Sequence, residues 1–399
     1  MRLFFGSKII FSSGALDYLK NIPGNKCFIV TDKNLEDIGL VKTLTEKLDK
    51  LGKAYEIFNE VRPDPHEKDV LKAKELCISY KPDLIIGFGG GSSMDTAKVV
   101  WALYEFPNFT LDDIEPDNSE LYNLGKKSKM VAIPTTSGTG AETTFAAVIS
   151  RFEDNLWKKL DLVNTGMMPT YSIVDPTFSS GMPPSLTIDT GFDALAHSFE
   201  AITSRQRNKF SDAICIQAID LIFDYLPIVY QDGKNVEARD YMHQAATMAS
   251  LGENNSPCHL GHTMGYGLGT LFKISHGKTV GITLPYVLQF LINNPKKRDK
   301  TCEILANLAK KLGWAEWKNK DNKKIAIEVV NKIKDLQKKV NFPSKFEGIL
   351  LEKDFEVNLD LLIKISQETP NYVLSPRKVS FEDFKKIFVY AFEGKDIDF

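Results

Sequence analysis

The sequence is poor in several features that mark particular classes of protein. Its 399 residues contain only five cysteines, scattered and without a C-x-x-C spacing, which argues against a disulfide framework and favours a cytoplasmic protein. A formal net charge of −2 and the lack of a basic tract argue against nucleic-acid or membrane partners. No apolar run approaches the roughly 20 residues that span a bilayer. The chain is therefore expected to act on small molecules in the cytoplasm.

The order of predicted strands and helices indicates two domains. In the first third, strand-like segments at 26–31, 54–58 and 83–88 alternate with helical ones, which predicts a parallel sheet and a nucleotide-binding half. After residue 184 the apolar residues follow helical spacing. The helices predicted there cover 209–226, 235–251, 258–271, 299–312, 323–339 and 380–393. We predict a Rossmann-like α/β domain over 1–182 and an all-α domain over 183–399.

Histidine is also scarce, and four of the six histidines fall near one aspartate in the sequence pattern. Asp193 and His197 lie one helical turn apart, so a carboxylate and an imidazole share a helix face. His259, His262 and His276 follow in the next two helical patterns. A carboxylate with imidazoles suits Fe(II), Zn(II), Co or Ni. A helical Asp-His pair without any metal is the plainer alternative.

A glycine-rich loop follows the third predicted strand. The run from Gly87 to Ser93 leads into a helix expected to begin near Met94. Glycines let the backbone approach a phosphate, and the N–H groups at a helix start bind anions. The loop does not follow the first strand, where the usual dinucleotide fingerprint stands, so a turn without a ligand remains an alternative.

Asp32 stands at the end of the first of these strands. An acidic residue there accepts hydrogen bonds from the adenosine ribose and repels a 2′-phosphate, which favours NAD over NADP. A helix-capping or turn role is the alternative, and Lys33 could offset the repulsion.

Three segments around the histidines carry a family resemblance. TGFDALAHSFEA, GHTMGYGLG and SHGKTVGITLP are similar to the metal-binding half of the iron-containing (group III) alcohol dehydrogenases. The resemblance implies a dehydroquinate synthase-like architecture, and metal ligands at Asp193, His197, His262 and His276. His259 lies three residues before the matched histidine and is an alternative ligand or a partner of one.

Two further segments resemble the cofactor loops of the same family. They are GGGSSMDTAK, with Ser93 where the family usually has proline, and IPTTSGTGAETT. The residues that the resemblance implies for cofactor binding, together with Asp32, are Gly90, Gly91, Ser92, Asp95, Thr135, Thr136, Thr139, Thr144 and Lys159.

The chain departs from the family pattern at two positions beside the expected metal. Ser275 precedes His276 where the family has proline, and Tyr266 replaces a histidine that lies near the nicotinamide. Tyrosine can still donate a hydrogen bond or relay a proton, although its reference pKa near 10 suits this less well at neutral pH. Tyr266 is therefore the candidate catalytic residue, and a hydroxy acid remains a possible substrate.

The resemblance implies an oxidoreductase of the CH–OH group. It would transfer a hydride between NAD, or alternatively NADP, and a small alcohol or aldehyde on a divalent metal. Iron is expected first, and Zn2+ or another divalent metal is the alternative. A homodimer or larger homo-oligomer is expected. The main alternative function is a lyase of the dehydroquinate synthase type, which uses NAD transiently on a phosphorylated substrate.

Overall fold

The computed structural model describes residues 3–153, 156–296, 300–314 and 321–399. It divides into two compact units. The first consists of Met1–Met182 with Lys234–Asn254, and the second of Pro183–Gly233 with Asn255–Phe399. The expected helical domain over 183–399 is therefore interrupted, because the segment 234–254 packs with the α/β unit.

The first unit is built on a six-stranded sheet in which every pairing is parallel, in the order β1-β8-β5-β4-β2-β3. Its strands are β1 Lys8–Phe11, β2 Lys26–Val30, β3 Ala54–Phe58, β4 Leu84–Gly89, β5 Lys129–Pro134 and β8 Tyr171–Val174. Two further strands, β6 Ala146–Glu153 and β7 Leu156–Val163, form a separate antiparallel hairpin. The predicted parallel sheet is thus confirmed, whereas the hairpin was not predicted.

Alternate residues of the central strands enter two cores. Phe28 and Ile85 belong to one buried cluster, while Ile29 and Ile86 belong to the other. Successive strand residues point to opposite faces, so the sheet is covered on both sides. The helices of this unit are α1 Lys33–Asp37, α2 Leu40–Lys50, α3 Glu67–Tyr80, α4 Gly91–Glu105 and α7 Val236–Asn254.

The strand order places a topological switch beside the glycine-rich loop. From β2 the chain runs outward to β3 and then returns to β4 on the other side of β2. Ligands of open parallel sheets bind at the carboxyl ends of strands at such a point. Asp32 follows β2 and Gly90 follows β4. The acidic residue and the loop therefore lie at the carboxyl ends of adjacent strands.

Helix α7 is held in the first unit by polar contacts with the segment after β5. The Oγ1 of Thr247 donates to Glu142 at 2.7 Å, and Nδ1 of His243 lies 2.9 Å from the Ser137 hydroxyl. The Ser250 hydroxyl donates to the Thr139 carbonyl at 2.7 Å. These partners are more than 100 residues apart in sequence, which explains why helical spacing alone did not assign the helix to this unit.

The second unit is helical in its described residues. Its α-helices are α5 Pro184–Thr203, α6 Lys209–Gln231, α8 Leu260–Phe272, α9 His276–Ile292, α10 Thr301–Lys311, α11 Asn322–Lys339, α12 Glu352–Glu368 and α13 Phe381–Glu393. Residue 299, where one helix was predicted to begin, lies outside the described residues. By length and composition α6 could cross a membrane, but it carries Asp220 and Asp224 and packs against α5.

Candidate metal and cofactor sites

Helix α5 presents three polar side chains on one buried face. Asp193, His197 and Glu200 follow the i, i+4, i+7 spacing that aligns residues on a helix. Each is at most 8% exposed. The helix begins at Pro184, a residue suited to a first helical position, and from Thr187 to Thr203 every residue except Thr190 is buried. The surrounding apolar packing fixes this row of polar groups.

Helices α8 and α9 bring two more histidines to Asp193. The Nε2 of His262 lies 3.8 Å from Oδ1 of Asp193, and Nε2 of His276 lies 3.6 Å from the same oxygen. The rings of His197 and His262 are stacked, with centroids 4.4 Å apart. The candidate metal cluster therefore consists of Asp193, His197, His262 and His276, drawn from three helices.

Close helix packing makes this convergence possible. A Cβ on Gly277 would stand 2.1 Å from the carbonyl oxygen of Asp189, so α9 meets α5 through backbone contact directly after His276. The Ser275 hydroxyl, at the position where the family has proline, donates to Oδ2 of Asp189 at 2.6 Å. A hydrogen bond to α5 thus holds the start of α9 in this chain.

Three of these side chains have ligand atoms spaced to fit a divalent metal, and His197 lies beside them, stacked on His262. Ligand atoms in a tetrahedral site with bonds of about 2.1 Å stand roughly 3.4 Å apart, close to the two separations from Asp193. The ligand atoms of Asp193, His262 and His276 lie within 4.8 Å of one another. Among the described residues, the buried Nδ1 of His197 has no hydrogen-bond partner. A carboxylate and imidazoles are ligands for iron or zinc.

The electrostatics of the cluster favour neutral imidazoles. Burial lowers the pKa of His197 well below its ordinary value, and the neighbouring His262 and His276 lower it further. Metals bind the neutral form of histidine. His276 differs from the others because its side chain is 46% exposed. The cluster is therefore open on the side of His276.

Glu200 was missed by sequence reasoning. Its carboxylate lies 2.5 Å from Nδ1 of His262 and accepts backbone N–H bonds from residues at the start of α8. Burial opposes its charge, but His259 and His262 outweigh that effect and hold the pKa of Glu200 at about 2. Its place on the face of Asp193 and His197 was a signal, but its partners lie about 60 residues away.

His259 lies beside the cluster and is engaged elsewhere. Its Nδ1 accepts from the backbone N–H of Leu260 at 2.7 Å, and its Nε2 is 3.0 Å from the Thr203 hydroxyl. It also lies 3.2 Å from Glu200. The structure therefore places His259 as a neighbour of Glu200. Tyr266 is partly exposed on α8, one turn after His262.

The two candidate cofactor loops lie against each other. Helix α4 begins at Gly91, three residues earlier than expected, with Gly90 as its N-cap. The threonines are close enough that a Cβ on Gly90 would be 3.6 Å from Thr136, and one on Gly91 would be 3.2 Å from Thr139. The start of α4, where Gly91 and Ser92 are partly buried, offers backbone N–H groups of the kind that bind an anion.

The other expected cofactor residues make protein contacts. The Thr135 backbone N–H donates to Gly89 at 2.9 Å. The buried Lys98 donates to the Thr144 hydroxyl at 2.9 Å and pairs with Asp95 at 3.6 Å. These bonds fix Asp95 and Thr144 against the body of the unit.

Lys159 and Asp32 also have identified neighbours. Lys159 lies on β7 with its Nζ 3.7 Å from Asp64. The Asp32 side chain caps α1 by accepting from Leu35 N–H at 3.1 Å. The capping alternative for Asp32 is thus part of the structure. Its second carboxylate oxygen can serve another partner, because capping uses one oxygen only.

Two family models match the chain. The model for iron-containing alcohol dehydrogenase matches residues 6–176, and that for the C-terminal part of the Fe-containing alcohol dehydrogenase family matches 187–392. The chain therefore belongs to the iron-containing alcohol dehydrogenase family.

Relatives match most or all of the chain. The NADPH-dependent butanol dehydrogenase of Clostridium saccharobutylicum is 33% identical, and the match covers 100% of both chains. The 1-propanol dehydrogenase PduQ of Citrobacter freundii is 33% identical over 73% of each chain. The solved structure of an alcohol dehydrogenase from Oenococcus oeni matches with a TM-score of 0.88 at 28% identity, over 98% of this chain and 100% of that one.

These relatives define the class of enzyme. The chain is a metal-dependent alcohol dehydrogenase or aldehyde reductase, an oxidoreductase that acts on the CH–OH group with NAD(P). The lyase alternative receives no support from them.

Proposed function

We propose that this enzyme holds one divalent metal on Asp193, His197, His262 and His276 and uses NAD to interconvert small primary alcohols and aldehydes. The observation that carries the proposal is the approach of His262 and His276 to the same Asp193 oxygen, at 3.8 and 3.6 Å. Iron is the first choice because of the family, and zinc is the second because it binds imidazoles more tightly than Fe(II).

When bound, a divalent metal would supply a Lewis acid for a substrate oxygen, and a bound nicotinamide would supply a hydride donor or acceptor. The chain's own residues orient these groups. The stacked rings of His197 and His262 stay fixed in apolar packing, while the exposed side of His276 leaves room for a small oxygen-bearing substrate. We propose that the Tyr266 hydroxyl, one turn beyond His262, donates a hydrogen bond to the substrate or relays its proton.

Metal analysis tests the ligand assignment. Purified wild-type enzyme should contain about one divalent metal per chain, and His262→Ala and His276→Ala should each lose most of it. A Cys302→Ala variant in the same unit is the control, because this cysteine lies on α10 away from the proposed ligands. Undiminished metal in both histidine variants would refute the assignment.

We propose that the two glycine- and threonine-containing loops hold NAD. The free N–H groups at the start of α4 would bind the pyrophosphate, with Gly90, Gly91 and Ser92 in backbone contact. Thr135, Thr136, Thr139 and Thr144, together with Asp95 and Lys159, would line the rest of the site. The lining role rests on the proximity of Thr136 and Thr139 to the two glycines.

The preference for NAD rests on Asp32. It follows β2 at the switch point of the sheet, where a carboxylate binds the ribose hydroxyls and repels a 2′-phosphate. Lys33 does not provide a free compensating charge, since it pairs with Glu36 at 2.9 Å and with Asp37 at 3.4 Å. The butanol dehydrogenase relative is named as NADPH-dependent, so this proposal distinguishes the chain from that relative.

Cofactor kinetics test the role of Asp32. We expect kcat/KM to favour NAD in the wild type, and the ratio of NAD to NADP to shrink in Asp32→Gly. Asp32→Asn retains an oxygen for the Leu35 N–H but removes the charge, so it separates capping from cofactor choice. A wild type that is faster with NADPH at equal concentration would show that the Asp32 interpretation is wrong.

A panel of alcohols tests which class of substrate the enzyme oxidises. The named relatives act on butanol and 1-propanol, which supports a short primary alcohol over a hydroxy acid. Absorbance at 340 nm should rise with butanol and ethanol and rise less with 4-hydroxybutyrate. Product formation that requires NAD but gives no net NADH would instead support the lyase.

We further propose that the enzyme acts in the cytoplasm as a homodimer or larger homo-oligomer, without nucleic-acid or membrane partners. The scattered cysteines and the net charge of −2 support this setting. Light scattering after size exclusion measures the assembly, and a mass of one chain, 44.8 kDa, would contradict the oligomer.

A further inference from the structure

The carboxylate of Glu200 is a fully engaged polar group beside the metal cluster. It has no solvent exposure, and its two oxygens lie close to backbone N–H groups of α8 and to Nδ1 of His262. Glu200 is not a substitute for any of the four proposed metal ligands, because both of its carboxylate oxygens already accept hydrogen bonds. Its function must therefore be sought through the residue that it contacts.

That residue is His262, whose two ring nitrogens face different partners. Nδ1 lies 2.5 Å from Oε2 of Glu200, while Nε2 lies 3.8 Å from Oδ1 of Asp193. A carboxylate accepts hydrogen bonds, so Nδ1 carries the proton and donates a hydrogen bond to Glu200. In a neutral imidazole the other nitrogen, Nε2, is then left with the lone pair that binds a metal.

The same carboxylate fixes the ring in space. Oε2 accepts the backbone N–H of His262 at 3.1 Å, and Oε1 accepts that of Gly261. A Cβ on Gly261 would stand 2.8 Å from Oε1, so only glycine allows this approach without a shift. Backbone and ring of one residue are thus bound by one carboxylate.

We propose that Glu200 is a positioning residue that sets the tautomer and orientation of His262 and thereby raises the affinity of the metal cluster. The inference rests on the proposed metal site and deepens it. Carboxylate partners of ligating histidines are generally worth 10- to 100-fold in metal affinity.

A competing arrangement uses the same residues differently. The Sγ of Cys258 also lies within 4.8 Å of ligand atoms of Glu200 and His262, so these three could hold a metal on the Nδ1 side of the ring. That arrangement would break the bonds from Glu200 to α8, which is why we favour the positioning role. Cys258→Ser separates the two, because it weakens binding only in the competing arrangement.

The test measures Co2+ and Zn2+ dissociation constants by chelator competition. Glu200→Gln should weaken both by 10- to 100-fold, because its amide can donate to Nδ1 and so favour the wrong tautomer. Glu200→Asp should recover part of the loss. Glu105→Gln is the matched control, since Glu105 is also a buried carboxylate that accepts backbone N–H bonds, from residues 126–128 of the first unit. Dissociation constants of Glu200→Gln within twofold of the wild-type values would overturn the proposal.

A second measurement does not depend on any variant folding. In metal-free wild type, nitrogen-15 NMR of the histidines should show His262 protonated at Nδ1, and an Nε2–H tautomer would overturn the proposal. A wild type with this tautomer that binds no Co2+ would instead refute the proposed metal site alone.

Thermal unfolding of metal-free Glu200→Gln separates lost stability from lost affinity. A purely structural role would lower Tm without changing the dissociation constant of the folded protein.

Discussion

At Tyr266 the chain has a phenol where its family commonly has an imidazole. Replacing it with phenylalanine keeps the volume of the ring and removes only the hydroxyl. If that hydroxyl relays a proton or orients the substrate, turnover should fall by roughly 10²–10⁴-fold. Metal content should stay unchanged, because the proposed ligands are untouched. We expect this from initial rates on butanol, 1,2-propanediol, 4-hydroxybutyrate and their aldehydes, with metal quantified in each sample.

The control for Tyr266→Phe is Tyr286→Phe, which removes a hydroxyl that donates to the Ser344 carbonyl at 2.7 Å. It should leave turnover unchanged. Tyr266→His restores the commoner residue and should retain activity on simple alcohols. Equal rates for wild type and Tyr266→Phe on every substrate would mean that the ring only fills space.

His243 should make stability depend on pH. Burial lowers its pKa to about 4; Asp175 and a hydrogen bond with Pro134 act in the opposite direction, and Arg239 lowers the pKa further. Since the folded value lies below the ordinary 6.5, the unfolded chain binds the proton first. The contribution of neutral His243 to folding stability is complete above pH 6.5 and is lost as the pH falls toward 4. The difference between the two pKa values corresponds to about 3 kcal/mol in the free energy of unfolding.

Denaturant unfolding at pH 7 and pH 4.5 measures this effect. His243→Asn keeps a polar atom near the position of Nδ1 but does not titrate, so its free energy of unfolding should fall less than that of wild type over this range. Subtracting the pH-dependent change in the free energy of unfolding of the variant from that of wild type removes the contribution of every other histidine. Parallel curves for the two proteins would contradict the prediction.

At the scale of elements, the contact between α5 and α9 is the most sensitive to added volume. In Gly277→Ala the new methyl group would clash with the Asp189 carbonyl at 2.1 Å, so α9 must move away and carry His276 with it. Overpacking of this kind costs about 1–3 kcal/mol. We expect a lower Tm together with weaker metal binding.

Gly181→Ala is the matched control, because a Cβ there meets nothing within 4 Å. Its Tm and metal affinity should equal those of wild type. If Gly277→Ala bound metal with unchanged affinity, the position of α9 would not control the cluster.

Elements with strong periodicity were predictable, and elements defined by distant partners were not. Strand β3 matches its predicted bounds of 54–58, because local sequence pattern alone specifies it. Helix α12 was absent from the prediction, although Phe355, Leu359 and Leu362 follow helical spacing. The hairpin β6–β7 was missed as well, since charged residues interrupt the apolar pattern of both strands, among them the adjacent Lys158 and Lys159 of β7.

The candidate metal site shows the same division. Asp193 and His197 could be paired from spacing within one helix, and the family resemblance supplied His262 and His276. The only local signal for Glu200 was its place on the helix face of Asp193 and His197, and its role depends on backbone groups at the start of another helix. The start of α4 was placed late because glycine is a poor helix former, yet Gly91 is already helical.

At the scale of the whole molecule, the first unit should need α7 for its full stability. A fragment of residues 1–182 would lack Thr247, the partner of the fully buried Glu142, and also His243, the partner of Ser137. A buried carboxylate without its partner costs about 1–3 kcal/mol or more. We therefore expect fragment 1–182 to unfold at a lower temperature than the same fragment joined to 234–254 by a flexible linker.

Circular dichroism on heating measures the two midpoints. The control carries residues 209–231 on the same linker, because α6 has a similar length but belongs to the second unit. It should give no stabilisation. Equal midpoints for all three fragments would show that α7 is dispensable.

The assignment of α7 to the first unit also limits how such genes can be recombined. A single crossover near residue 183 would combine the α/β portion of one parent with α7 from the other, and so separate Glu142 from the Thr247 that evolved beside it. Two additional crossovers, near 233 and 254, keep these partners together. A hybrid built to exchange cofactor preference should therefore take the first unit as two gene segments, which flank the segment that encodes α5 and α6.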